Sequence, residues 1–173
     1  MPVDQVAVDG VWWRQLPHGS DPLFRADPPS DGRWQRGEVV AGVYFAADEP
    51  TSWAEWYRAL AEFAIPPERQ MPRDLWHWQI DAQRVADLST TAKLASLKLA
   101  PPRPTRSEWH AFQSAGEQLW REDYTGVLAP SAARPDSLVL CLFRESDEIA
   151  GATPLRPPRT YRHAPPPPTG MTT

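Results

Sequence analysis

The sequence predicts an α+β fold: one domain with a mixed β-sheet core flanked by helices. Three observations carry this expectation. Short apolar runs suited to strands are interspersed irregularly with stretches of helical period, whereas a doubly wound fold would alternate strand and helix strictly. The 173 residues are enough for one full-sized core and too few for two ordinary domains. Proline pairs at Pro28-Pro29, Pro66-Pro67, Pro101-Pro102 and Pro157-Pro158 punctuate the chain between those stretches, because proline ends helices and removes a donor from strands.

Taken in order, residues 1–10 read as an N-terminal segment ahead of a domain placed at 11–155. VWWRQL, residues 11–16, reads as a short strand. A polar loop rich in Gly, Pro and Asp follows over 17–37, and such residues supply bends. VVAGVYFA, residues 39–46, is the second strand. Pro50 suits the first turn of a helix over 50–63, in which Trp53, Trp56, Tyr57 and Leu60 fall on one face. LWHWQIDA and VADL read as two extended segments, residues 91–98 as a short helix, and residues 107–120 as a helix turning Trp109, Phe112 and Leu119 inward. GVLAPSAAR is a short strand and then a loop, and SLVLCLF a buried strand. From residue 156 the chain is expected to run as a disordered, proline-rich tail, since Pro165 to Pro168 and their neighbours offer little to pack.

Composition excludes several function classes. The formal net charge is −4 and the basic residues are dispersed, so direct nucleic-acid binding is not expected. No apolar run approaches the roughly 20 residues that cross a bilayer, and the first ten residues have neither the basic start nor the apolar stretch of an export signal. Cys141, the single cysteine, lies within an apolar run and reads as a small core hydrophobe in a reducing cytoplasm. There is no G-x-G-x-x-G and no G-x-x-x-x-G-K-[ST], so neither a dinucleotide fingerprint nor a phosphate loop is present. His18, His77, His110 and His163 are far apart, without the spacing of metal ligands. Ser131 lacks the G-x-S-x-G of a hydrolase nucleophile.

What remains is a series of charged and aromatic residues in a set order: Trp12-Trp13-Arg14, Gly32-Arg33-Trp34, Tyr44, Glu55, and Pro130-Ser131 followed by Arg134. Each has an ordinary structural reading. Ser52-x-x-Glu55 has the spacing of a capping box, and Glu55 shares a polar stripe with Arg58 and Glu62 suited to a solvated face. Tyr44 suits a cross-strand aromatic, and Ser131 a turn.

In this order the residues resemble the RES domain family, over about residues 11–145. Gln35 stands where an asparagine often follows G-R-W in that family. The resemblance implies an ADP-ribosyltransferase-like fold and a bacterial toxin that consumes NAD+, with a helix-turn-helix antitoxin as partner. NAD+ would be the substrate, and neither cofactor nor metal is implied. The leading form of the activity is cleavage of the nicotinamide–ribose bond, by hydrolysis or phosphorolysis. Transfer of ADP-ribose to a protein is the close alternative, and a non-catalytic interaction protein on the same fold is the other class. By this resemblance Glu55 orients the ribose and stabilises its cationic transition state, Arg14 and Arg33 hold the pyrophosphate, Tyr44 stacks on nicotinamide, and Ser131 bonds ribose or phosphate. His18, Arg25, Trp34 and Arg36 are held in reserve, on a 17–37 loop able to fold over the ligand; Arg134 is a further candidate for the phosphate.

Overall fold

The computed structural model describes residues 3–173. Six strands, β1 (Gln5–Pro17), β2 (Ala41–Ala46), β3 (Arg73–Asp87), β4 (Gly126–Pro130), β5 (Leu138–Arg144) and β6 (Ala152–Tyr161), form one mixed sheet in the order β1-β2-β5-β4-β3-β6. An additional β1–β3 pairing bends the sheet back on itself. The helices are α1 (Glu49–Glu62), α2 (Thr91–Ser96) and α3 (Trp109–Arg121), with a 3-10 turn at Pro67–Gln70. The α+β expectation is met.

Alternation along the strands divides the core. Val43 and Phe45 of β2, Trp76, Trp78 and Ile80 of β3, and Leu140 and Leu142 of β5 face one another inside the bent sheet. The opposite faces of β4 and β5 receive α2 and α3 through Leu94, Phe112 and Leu119. Cys141 is fully buried there, and burial pushes its thiol pKa up to about 12. A third cluster forms where Trp53, Trp56 and Leu60 of α1 meet Leu75 of β3. Among the described residues, no helix is long and apolar enough to cross a membrane.

Three expectations about extent are corrected. The first strand begins at Gln5, inside the segment placed outside the domain, because it lies against β3 from Gln5↔Ala86 to Pro17↔Arg73. The two extended segments around residues 75–88 are a single strand, β3. Arg84, at φ 58, turns the backbone between the part of β3 paired with β6 and the part paired in parallel with β4. The tail boundary at residue 156 falls within β6, whose prolines are tolerated because this is an edge strand with one partner.

Candidate active site

β1 and β2 touch at a single register position, Trp13↔Ala46, and otherwise splay apart. A cleft of about 380 Å³ occupies the gap, within the range of small-molecule sites. Arg14 comes from β1, Tyr44 from β2, Glu55 and Arg58 from α1, Arg33 and Trp34 from the turn before β2, and Trp109 from the start of α3.

The position of Glu55 follows from how α1 begins. Asp48 is the N-cap, its Oδ1 accepting from Thr51 N at 2.8 Å. Asp48 is gripped in turn by Arg134 Nη1, at 3.1 and 3.0 Å. The capping-box reading of Glu55 is therefore wrong: the cap is three residues before Thr51, and Glu55 lies in the second turn, free to point elsewhere. Its Oε1 accepts from Ser131 Oγ at 2.6 Å and from Ala133 N at 3.4 Å. Its Oε2 accepts from Arg58 Nε at 2.9 Å. Arg58 continues to Glu62 at 2.7 Å, and Glu62 to Arg106 at 2.8 Å, so the polar stripe of α1 is a charge network along the cleft instead of a solvated face.

Ser131 is 1% exposed. Its Oγ donates to Glu55 and accepts from Ala133 N at 3.2 Å and Arg134 N at 3.0 Å. The hydroxyl is thus committed to holding the carboxylate, behind the cleft wall formed by Pro130 and Ala132. Arg134 is likewise committed to Asp48.

The two site arginines differ in support. Arg33 is 8% exposed, with Nη2 donating to Arg103 O at 2.7 Å and the guanidinium near the rings of Trp109 and Phe112. Its Nη1 is buried without a partner among the described residues. Burial, then the neighbouring Arg58, lower its pKa. Arg14 is half-buried, and its Nε also has no partner among the described residues. Burial first, then Arg144 and Arg73, lower its pKa to about 10, which still leaves it protonated at neutral pH. An unpaired donor on a partly desolvated cation is a demand for an anion.

Tyr44 braces the turn that carries Arg33. Its hydroxyl donates to Gln35 Oε1 at 2.8 Å and accepts from Trp34 N at 3.0 Å. Gly32 N donates to Gln35 O at 2.9 Å to close the turn, and a Cβ on Gly32 would stand 2.2 Å from the tyrosine oxygen, which accounts for the glycine. Burial raises the Tyr44 phenol well above 10, so it is a neutral hydrogen-bonding group whose ring lines the cleft. Gln35, fully buried, also donates from Nε2 to Ser30 O at 3.0 Å.

Arg14, Arg33, Tyr44 and Glu55 thus meet around one cleft with Ser131 directly behind, and Trp34 joins them. The other reserve residues are elsewhere: His18 on Asp74 at 2.9 Å, Arg25 toward Asp147 at 3.8 Å, and Arg36 on Glu117 at 2.8 Å. Sequence reasoning missed Arg58, Arg106 and Trp109. Only Arg58 carried a signal, being three residues after Glu55 on the same helix face.

The family model of the RES domain matches residues 11–163. The chain belongs to the RES domain family. This RES domain is similar in structure to a chain of the crystal structure of the M. tuberculosis MbcT–MbcA toxin–antitoxin complex, with a TM-score of 0.70 over 87% of this chain and 86% of that chain. Sequence identity is 19%, so the likeness is one of fold. Comparison with curated proteins returns no match. The family match extends past residue 155 and takes in all of β6.

Proposed function

We propose that this RES domain is the toxin of a toxin–antitoxin pair and that it consumes NAD+ by breaking the bond between nicotinamide and ribose. The observation that carries the reading is a carboxylate, Glu55, fixed by Ser131, Ala133 N and Arg58 in a cleft lined by Arg14 and Arg33, whose Nε and Nη1 respectively lack partners among the described residues. Family membership and the fold shared with a chain of a toxin–antitoxin complex support the biological half of the proposal.

The chemistry suits this arrangement. When the ribose C1′–nitrogen bond breaks, its electron pair leaves with the ring and neutralises the pyridinium, so nicotinamide departs neutral and positive charge develops on the ribose. A fixed anion beside that carbon is worth most in the transition state, where the charge is greatest. Glu55 fills this role and orients the ribose hydroxyls. Arg14 and Arg33 stand toward the pyrophosphate, the Tyr44 ring lines the cleft for the base, and Ser131 keeps Glu55 from turning away. Water or phosphate then attacks C1′. Transfer to a protein side chain differs only in the acceptor.

The test is nicotinamide release from NAD+ by the purified chain, with and without phosphate. Glu55→Gln keeps the size and loses the charge, and is expected to lower the rate by at least ~100-fold, the scale for removing one electrostatic group from a transition state. Full activity in a folded Glu55→Gln variant would reduce Glu55 to a structural residue.

A further inference from the structure

Residues 164–172 follow β6 and cross from α1 to the loop that holds Glu55. Ala164 N donates to Glu68 Oε1 at 2.9 Å, and Pro165 O accepts from Tyr57 Oη. Pro165 to Pro168 cover the next stretch without offering a single backbone donor; four such residues in extended polyproline form reach about 12 Å. Thr169 O accepts from Arg134 Nε at 3.1 Å. Gly170 takes φ 77, a left-handed conformation that glycine adopts without penalty, and Thr172 then lands on the 131–134 loop. Thr172 N donates to Ala133 O at 2.6 Å, and Thr172 Oγ1 to Ala132 O at 3.2 Å.

These two carbonyls belong to particular peptide groups. The peptide joining Ala132 to Ala133 presents its N–H to Ser131 Oγ and Glu55 Oε1, and its carbonyl is the one bound by Thr172 Oγ1. The next peptide, joining Ala133 to Arg134, presents its N–H to Ser131 Oγ, and its carbonyl is bound by Thr172 N. Because a peptide group is planar and stiff, fixing the oxygen of each fixes the direction of its N–H. We propose that Thr172, at the end of this polyproline strap, is a positioning residue for the reaction: through two peptide planes it aims the N–H groups that hold Ser131 Oγ and hence the Glu55 carboxylate. The inference rests on the function proposed above for Glu55.

Three variants test it in the full chain. Thr172→Pro removes both donors, Thr172→Val removes the hydroxyl alone, and Thr172→Ser keeps both. For nicotinamide release, Thr172→Pro is expected to lower kcat about tenfold, the order of one hydrogen bond's effect on alignment. KM for NAD+ and the melting temperature should stay near wild type, Thr172→Val should fall between, and Thr172→Ser should restore kcat. Amide exchange at Ala133 and Arg134, followed by NMR, should quicken in Thr172→Pro whether or not the chain turns over NAD+. A wild type that releases no nicotinamide would sink the proposed function and leave this exchange measurement to decide the positioning. Unchanged exchange in Thr172→Pro overturns the inference, as does an unchanged kcat or a kcat loss that merely follows a loss of folded protein.

Discussion

Arg14 and Arg33 line the cleft; Arg14 Nε and Arg33 Nη1 are buried without a hydrogen-bond partner among the described residues, and burial lowers the pKa of both side chains. Lysine in either place keeps a charge but loses the planar fork that carries the donor at that angle. Arg14→Lys and Arg33→Lys are therefore each expected to weaken NAD+ binding by roughly 1.5–3 kcal/mol, the range for hydrogen bonds to charged groups. Calorimetry on a Glu55→Gln background measures this without turnover; unchanged affinity in both would move the phosphates elsewhere in the cleft. At this scale the sequence was partly legible. Glu55 could be singled out but not freed from its capping reading, because choosing between Ser52 and Asp48 as the cap needs backbone angles, and Asp48 alone has the extended conformation with its oxygen on Thr51 N. The committed states of Ser131, His18 and Arg36 depend on partners that no local pattern reveals: Glu55, Asp74 and Glu117 lie 56 to 81 positions away in the chain.

Helix α3 acts as the platform for the Arg33 turn. Gly116 lets the helix approach so closely that a Cβ there would stand 2.0 Å from Trp34 O, and Gln113 Nε2 donates to Gly32 O at 3.0 Å. One turn on, Glu117, 2% exposed, accepts from Arg36 N, Nε and Nη2 at 3.0, 2.8 and 2.8 Å. The hydrogen bonds from Arg36 hold the Glu117 carboxyl below its ordinary 4.5, against the opposing effect of burial. A depressed folded-state pKa means that this contribution is complete above the ordinary carboxyl range and fades as pH falls through the folded value. Glu117→Gln is expected to cost about 1–3 kcal/mol at pH 7, with the gap to wild type narrowing in acid. Urea midpoints at pH 7 and pH 3 measure both; a gap that does not change with pH would mean the pair's charge contributes nothing. Periodicity made α1 and α3 legible, since both bury a face of period 3.6. It could not make β6 legible, because prolines at 154, 157 and 158 look like strand breakers until the strand is known to lie at an edge. Nor could it join the halves of β3, because the bend at Arg84 interrupts the alternation.

At the scale of the molecule, the cleft exists because β1 is shared: it runs the length of β3 but meets β2 at one position, so the bent sheet opens along that seam. Nothing in the β1 or β2 sequences announces the opening, which results from the lengths and directions of six strands together. An open seam lined by under-paired arginines also says what would close it. NAD+ is required by every cell, so a chain that destroys it should be tolerated only with a partner that blocks the cleft, and an anionic segment of such a partner set against Arg14 or Arg33 would answer their lack of acceptors. We propose a helix-turn-helix antitoxin in that role. Expressed alone in a bacterium, the wild-type chain is expected to deplete NAD+ and stop growth, while Glu55→Gln at equal soluble level does neither. Co-expression with the antitoxin should restore growth, and the purified complex should release little nicotinamide until the two are separated. Growth and NAD+ that stay level with the wild-type chain alone would remove the toxin reading and favour an interaction protein on the same fold, for which the cleft is a binding groove and Glu55 a contact.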